Sequence, residues 1–177
     1  MSLDFHQDFF TLFSLQTHYQ LDSALLEQRF HALQMQVHPD KFSHLPEAER
    51  RVSMQWATRV NEAYQTLVDP IRRARYLLSL HGVSTGEEAN TAMPGAFLME
   101  QMEWREAIQE ARDTRDMAVL EELESRLQHE THALQQQLAV KIDTEHDYTA
   151  AAALVRKLKF LEKLGQDIDS TYDQLDR

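Results

Sequence analysis

The sequence predicts an all-α fold in two parts, a helical hairpin unit followed by a three-helix bundle. Three observations carry this. Only four glycines and four prolines occur in 177 residues that are rich in Leu, Gln, Glu and Ala, so little interrupts helix formation. Apolar residues recur every three or four positions, the period of an amphipathic helix. The one stretch that collects Gly, Ser, Thr, Asn and Pro runs from Gly82 to Gly95 and divides the chain.

In chain order, a short helix is expected near Phe9–Leu15. A longer one opens at Asp22, a good N-cap residue, with Leu21 and Leu26 spaced as a hydrophobic staple. Its stripe is Leu26, Phe30, Leu33 and Val37. Pro39 ends it, because proline lacks an N–H and disfavours helical backbone at the residue before it. The next helix starts around Pro46, with Glu47 and Glu49 in its first turn, where carboxylates favour the helix dipole. Its stripe is Val52, Trp56, Val60, Ala63 and Leu67. Pro70 marks an end or a break, and Ile71–Leu80 forms one more short helix. Residues 1–82 are thus one domain, 83–94 a linker and 95–177 the bundle. The bundle helices are expected at 95–112, 116–143 and 147–176. Leu120, Leu123, Leu127, Leu134 and Leu138 stripe the second of them, and Leu154, Leu158, Leu161, Ile168, Tyr172 and Leu175 the third. Thr144 and Asp147 are spaced as a capping box before the third, and the short joins predict antiparallel neighbours.

Composition excludes several classes of function. Without cysteine there is no disulfide, thiolate metal site or nucleophilic thiol. The net charge of −11 is unevenly placed: residues 1–82 hold 8 Lys+Arg and 9 Asp+Glu, whereas residues 83–177 hold 10 and 20. So acidic a second half argues against nucleic acid as a partner. No apolar run approaches the roughly 18–20 residues that span a membrane, and MSLDFHQDFF lacks the basic and apolar regions of a signal peptide. A cytoplasmic protein with no membrane partner is expected. His129 and His132 are the only close helical histidine pair, and no third ligand accompanies them, so neither a metal nor a cofactor is implied.

The sharpest local signal is His38-Pro39-Asp40-Lys41-Phe42, set in a stiff corner between two amphipathic helices. An ordinary proline-stopped turn is the plain alternative. A second motif about twenty residues on, VNEAYQTLVDPIRRARY from Val60 to Tyr76, sets that alternative aside. Together the two resemble a J domain over about residues 7–76. The resemblance implies a co-chaperone that docks on a DnaK-class chaperone through the loop and the preceding helix and stimulates its ATP hydrolysis. His38, Pro39 and Asp40 match the required motif. Asp40 can accept charge-assisted hydrogen bonds from an arginine of the chaperone, and Pro39 preorganises the loop. Lys41 and Arg29 complete the expected docking set. The helix before the loop carries Arg29, His31 and His38 rather than a dense Lys/Arg run, so steering towards an acidic surface is weaker and a specialised partner is implied.

The helix GAFLMEQMEWREAIQEAR has two distinct sides at roughly 100° per residue. Phe97, Gln101, Trp104, Ile108 and Ala111 share one side and are assigned to the core. Leu98, Met99, Met102, Glu103, Glu106 and Glu110 lie on the other. An apolar cluster edged by carboxylates marks an interaction face, unless Leu98 and Met102 pack against another part of the chain. RARYLLSLHG, AFLMEQMEWRE and VRKLKFLEKL resemble the HscB family of iron–sulfur co-chaperones, extending the resemblance over nearly the whole chain. It implies an L-shaped protein whose bundle binds the cluster scaffold IscU and delivers it to the chaperone HscA. The implied scaffold contacts are Leu98, Met99, Met102, Glu103, Glu106 and Glu110, with Phe160 from the third bundle helix. Met102 and Trp104 stand where relatives commonly carry leucine. Two rival readings remain open: a type III J protein of the same architecture with another client, and a hydrolase using His38 and Asp40 as acid and base. The second lacks a nucleophile and a second catalytic element, so no enzyme is expected.

Overall fold

Asp22 opens the first long helix as expected, its carboxylate accepting from the Leu25 amide at 3.0 Å. In the computed structural model, which describes residues 4–42, 46–86 and 95–175, the chain divides into two compact units, residues 1–80 and 81–177. The described residues form helices joined by turns and short loops, with no strand among them. The first unit holds α1 (Phe9–Leu12), α2 (Ser23–Val37), α3 (Glu47–Val68) and α4 (Pro70–Leu80).

Helix α1 is a single turn capped by Asp8, and it exists to deliver Phe9, Phe10 and Leu12 into the core. Phe9 stacks on Tyr76 of α4 at 4.4 Å, and the Phe9 N–H donates to the Tyr76 hydroxyl at 2.9 Å. Arg59 of α3 donates to the carbonyl of Gln7 at 2.8 Å and lies over the Phe9 ring. Helices α2 and α3 form the hairpin, with Phe30 stacked on Tyr64 at 4.0 Å. Asp69 separates α3 from α4. Its extended backbone ends α3, and its carboxylate accepts from the Arg72 amide at 2.7 Å, with Pro70 at the first helical position, where no N–H is needed.

The buried stripe of α3 is Ser53, Trp56, Val60, Ala63 and Leu67, so the expected Val52 is corrected: it is 47% exposed, and Ser53 takes the inward position. Ser53 is buried because its hydroxyl donates to the carbonyl of Val37 at 2.8 Å, satisfying an acceptor that the last turn of α2 leaves without a helical partner. Ser53→Ala is expected to destabilise the unit by about 1–3 kcal/mol, the range for orphaning a buried polar group. An unshifted thermal midpoint would show instead that water satisfies Val37.

The second unit holds α5 (Gly95–Thr114), α6 (Met117–Ala139) and α7 (Tyr148–Leu175). Trp104 of α5 faces Arg126 of α6, while Glu124 and Leu127 of α6 meet Tyr172 and Gly165 of α7. Phe97 and Arg112 of α5 meet Phe160 and Thr171 of α7. These pairings give an up–down–up bundle in which α5 and α7 run parallel and α6 runs against both. The five expected leucines of α6 are buried. On α7, Leu158, Leu161 and Ile168 are buried, and Val155 and Leu164 join them. Leu154, Tyr172 and Leu175 are only half-buried.

Two boundaries differ from expectation. Helix α6 continues into a π-helical turn at Val140–Thr144 that buries Ile142. Thr144 is therefore still helical, and Asp147 itself caps α7 by accepting from the Ala150 amide at 3.0 Å, replacing the expected Thr144–Asp147 capping box. The stretch read as a linker is also partly built into the bundle. His81 stacks on Tyr148 at 4.0 Å, and the carbonyl of buried Thr85 accepts from Arg156 at 2.8 Å. Residues 87–94, the rest of that stretch, lie outside the described residues.

Candidate functional site

The corner after α2 is built by backbone rules. His38 stands at φ −59° and ψ 125°, the extended conformation that a following proline imposes, and Pro39–Phe42 then form one 3-10 turn. The Lys41 N–H donates to the His38 carbonyl at 3.0 Å, and the Asp40 N–H donates to His38 Nδ1 at 3.3 Å. That second contact turns the Nδ1 edge of the ring towards Asp40. The Asp40 carboxylate lies 3.7 Å from Nδ1. It is 91% exposed, and the His38 side chain is 52% exposed. The two groups are thus presented outward on the turn.

The other expected docking residues are placed unevenly. Lys41 is exposed within the turn. Arg29 is exposed on α2, nine residues before His38, which is about 13 Å along the helix and half a rotation around it. It shares a hollow of about 430 Å³ with Thr11, Leu15 and Gln36 rather than joining the loop. Sequence reasoning missed a second hollow of about 370 Å³, walled by Gln36, Val37, Ala48, Glu49, Val52, Ser53 and Trp56. Its signal was the position of Val52, one residue off the buried stripe.

On the bundle, α5 separates its two sides as expected. Phe97, Trp104, Ile108 and Ala111 are buried, and Gln101 is half-buried. Leu98 is 49%, Met99 66% and Met102 61% exposed, so they are surface groups rather than packing groups. Glu103, Glu106 and Glu110 are exposed beside them. The result is an apolar ridge followed by a line of carboxylates. Phe160 is 8% exposed and meets Phe97 edge-on at 5.5 Å, so it ties α5 to α7.

Beneath the ridge, Arg126 lies over the Trp104 ring at 4.4 Å and Lys157 over Phe97 at 5.5 Å. Beside them, burial pushes the Glu130 carboxyl above its usual range, and a side-chain hydrogen bond with Glu100 adds to this; Arg126 and Lys157 oppose it. A raised folded value means that the folded state holds the proton more tightly. The contribution is present at low pH and is lost as pH rises from the ordinary carboxylate range through the raised value. Over that window the thermal midpoint of the native chain is expected to fall relative to Glu130→Gln, which keeps a hydrogen-bonding amide at every pH. Parallel pH profiles for the two would rule the pair out as the cause.

Comparison with known proteins sets these sites in a family. Residues 8–76 match the DnaJ domain, and residues 93–169 match the HscB C-terminal oligomerisation domain. A co-chaperone protein HscB homolog of Aromatoleum aromaticum is 51% identical over 176 residues, covering 99% of both chains. The chain belongs to the HscB family of co-chaperones. Its fold agrees: HscB from Vibrio cholerae matches with a TM-score of 0.85 at 38% identity, covering 96% of this chain and 99% of that one. Human HscB matches with a TM-score of 0.89 at 30% identity, covering 96% and 84%. The relatives are named for assisting a chaperone, not for a reaction of their own.

Proposed function

We propose that this HscB-family chain stimulates the ATPase of a specialised DnaK-class chaperone, HscA, and delivers the iron–sulfur scaffold IscU to it. In this reading the first unit presents His38, Pro39 and Asp40, with Lys41 and Arg29 as accessory cations, to the chaperone. The second unit holds the scaffold on Leu98, Met99 and Met102, with Glu103, Glu106 and Glu110 meeting its polar rim. The single observation that carries the reading is the ridge: three large apolar side chains stand exposed in one turn of a helix that already has a complete buried face. Such a patch is the usual mark of a partner surface.

Joining two binding surfaces in one chain makes the second encounter effectively intramolecular and raises the local concentration of scaffold at the chaperone. Among the described residues no helix is long and apolar enough to cross a membrane, which suits an adaptor acting in the cytoplasm. The decisive experiment is steady-state ATP hydrolysis by the cognate chaperone with this protein, with IscU, and with both. Stimulation by both together beyond the sum of the separate effects is expected. Purely additive rates would sink the delivery role.

A further inference from the structure

The five methionines that the structure describes, Met35, Met54, Met99, Met102 and Met117, are all exposed. Methionine usually serves as an adaptable core filler, and here that work is done by leucine, isoleucine, valine and aromatic residues. The chain has no cysteine, so thioethers are its only sulfur chemistry. Two of them, Met99 and Met102, lie one helical turn apart on α5 beside Leu98. We propose that Met99 and Met102 are a reversible oxidation site, at which a peroxide converts the ridge thioethers to sulfoxides and weakens its grip on the client.

This rests on the reading of the ridge as the scaffold surface. In the step, the sulfur lone pair attacks one peroxide oxygen, an S–O bond forms and the O–O bond breaks. The departing hydroxide takes up the remaining peroxide proton and leaves as water. Methionine loses two electrons and the peroxide gains them. A methionine sulfoxide reductase reverses the change, releasing the oxygen as water while a pair of its thiols becomes a disulfide. Exposure lets the oxidant reach both sulfurs without unfolding.

The consequence follows from the neighbours. A sulfoxide oxygen is a strong acceptor and must find a donor when a partner covers it. Ionised Glu103 and Glu106 can only accept. Arg105 is the one cationic donor on α5 before Arg112, and the nearby cations of the other helices, Arg126 and Lys157, are engaged over the Trp104 and Phe97 rings, so donors for two new oxygens are scarce. Leu98 is unaffected, so binding weakens rather than disappears.

The test oxidises the full chain with hydrogen peroxide, removes the peroxide, maps added oxygen by peptide mass spectrometry and measures the Kd for IscU by calorimetry. Burying an unpaired acceptor predicts a loss of about tenfold or more. The affinity is expected to return after treatment with methionine sulfoxide reductases. M35L/M54L/M117L is expected to keep the full loss. M99L/M102L, compared with itself before and after peroxide, is expected to show none. An unchanged Kd for wild type oxidised at both positions would overturn the proposal, as would a loss that persists in M99L/M102L. Absence of IscU binding before any peroxide is a different failure: it removes the client assignment, and the oxidation site with it.

Discussion

Asp40→Asn is expected to abolish stimulation of the chaperone ATPase while leaving the thermal midpoint and IscU affinity unchanged. The argument is one of charge and exposure. The Asp40 carboxylate is 91% exposed and projects from a turn whose shape is set by backbone bonds, so removing its charge costs the fold little. An asparagine keeps the size but accepts a neutral bond where a carboxylate accepts a charge-assisted one, which is roughly twice as strong. A carboxylate that meets a guanidinium away from water loses more, because the arginine is then left buried and unpaired, at about 2–5 kcal/mol. At the upper end that is more than a thousandfold in affinity. Near-normal stimulation by the variant would show that the loop is not the docking tip.

Truncating the ridge and truncating Phe160 are expected to separate cleanly. Leu98→Ala, Met99→Ala and Met102→Ala together should reduce IscU affinity by about a hundredfold or more, since interface anchors contribute about 1–2 kcal/mol or more each. Their melting should be close to native, because the three side chains already face solvent. Phe160→Ala should do the reverse in order of cause. It leaves a hole beneath α5 and costs about 3–5 kcal/mol of stability, a fall in midpoint of more than about 10 °C for a unit of this size. Any loss of scaffold binding then follows from the loosened α5 and recovers at low temperature. A native melting curve for Phe160→Ala, or a strongly lowered one for the ridge variant, would overturn the division between surface and core.

Much of this molecule is readable from its sequence because helices advertise their buried face. The leucines of α6 recur at helical spacing, and all five expected ones are buried. The ridge was visible for the complementary reason: an apolar cluster opposite a complete stripe has no place left inside. What sequence periodicity misses is polar burial and continuation. Ser53 takes a core position that an apolar count assigns to Val52, because a hydroxyl becomes a core group only when a carbonyl such as that of Val37 waits for it. Thr144 has the chemistry of a cap, but the chain winds on through a wider π turn, and the cap passes to Asp147. Phe160 shows a third limit: the resemblance names the residue, and only packing reveals that its ring also meets Phe97.

The packing of the bundle helices has a consequence for how firmly the ridge is held. Helices α5 and α6, and likewise α6 and α7, are neighbours in sequence and antiparallel, so both pairs close by short turns with little loop entropy to overcome. Helix α5 lies parallel to α7 and touches it directly, through the Phe97–Phe160 contact and the Arg112–Thr171 bond, but it packs less extensively on either neighbour than α6 and α7 pack on each other. The ridge is therefore carried by the least extensively packed helix of the bundle. Amide hydrogens of α5 should exchange ahead of those in α6 and α7, and a bound scaffold should register as slowed exchange there. On the proposed role, client capture would also tighten the platform that carries it.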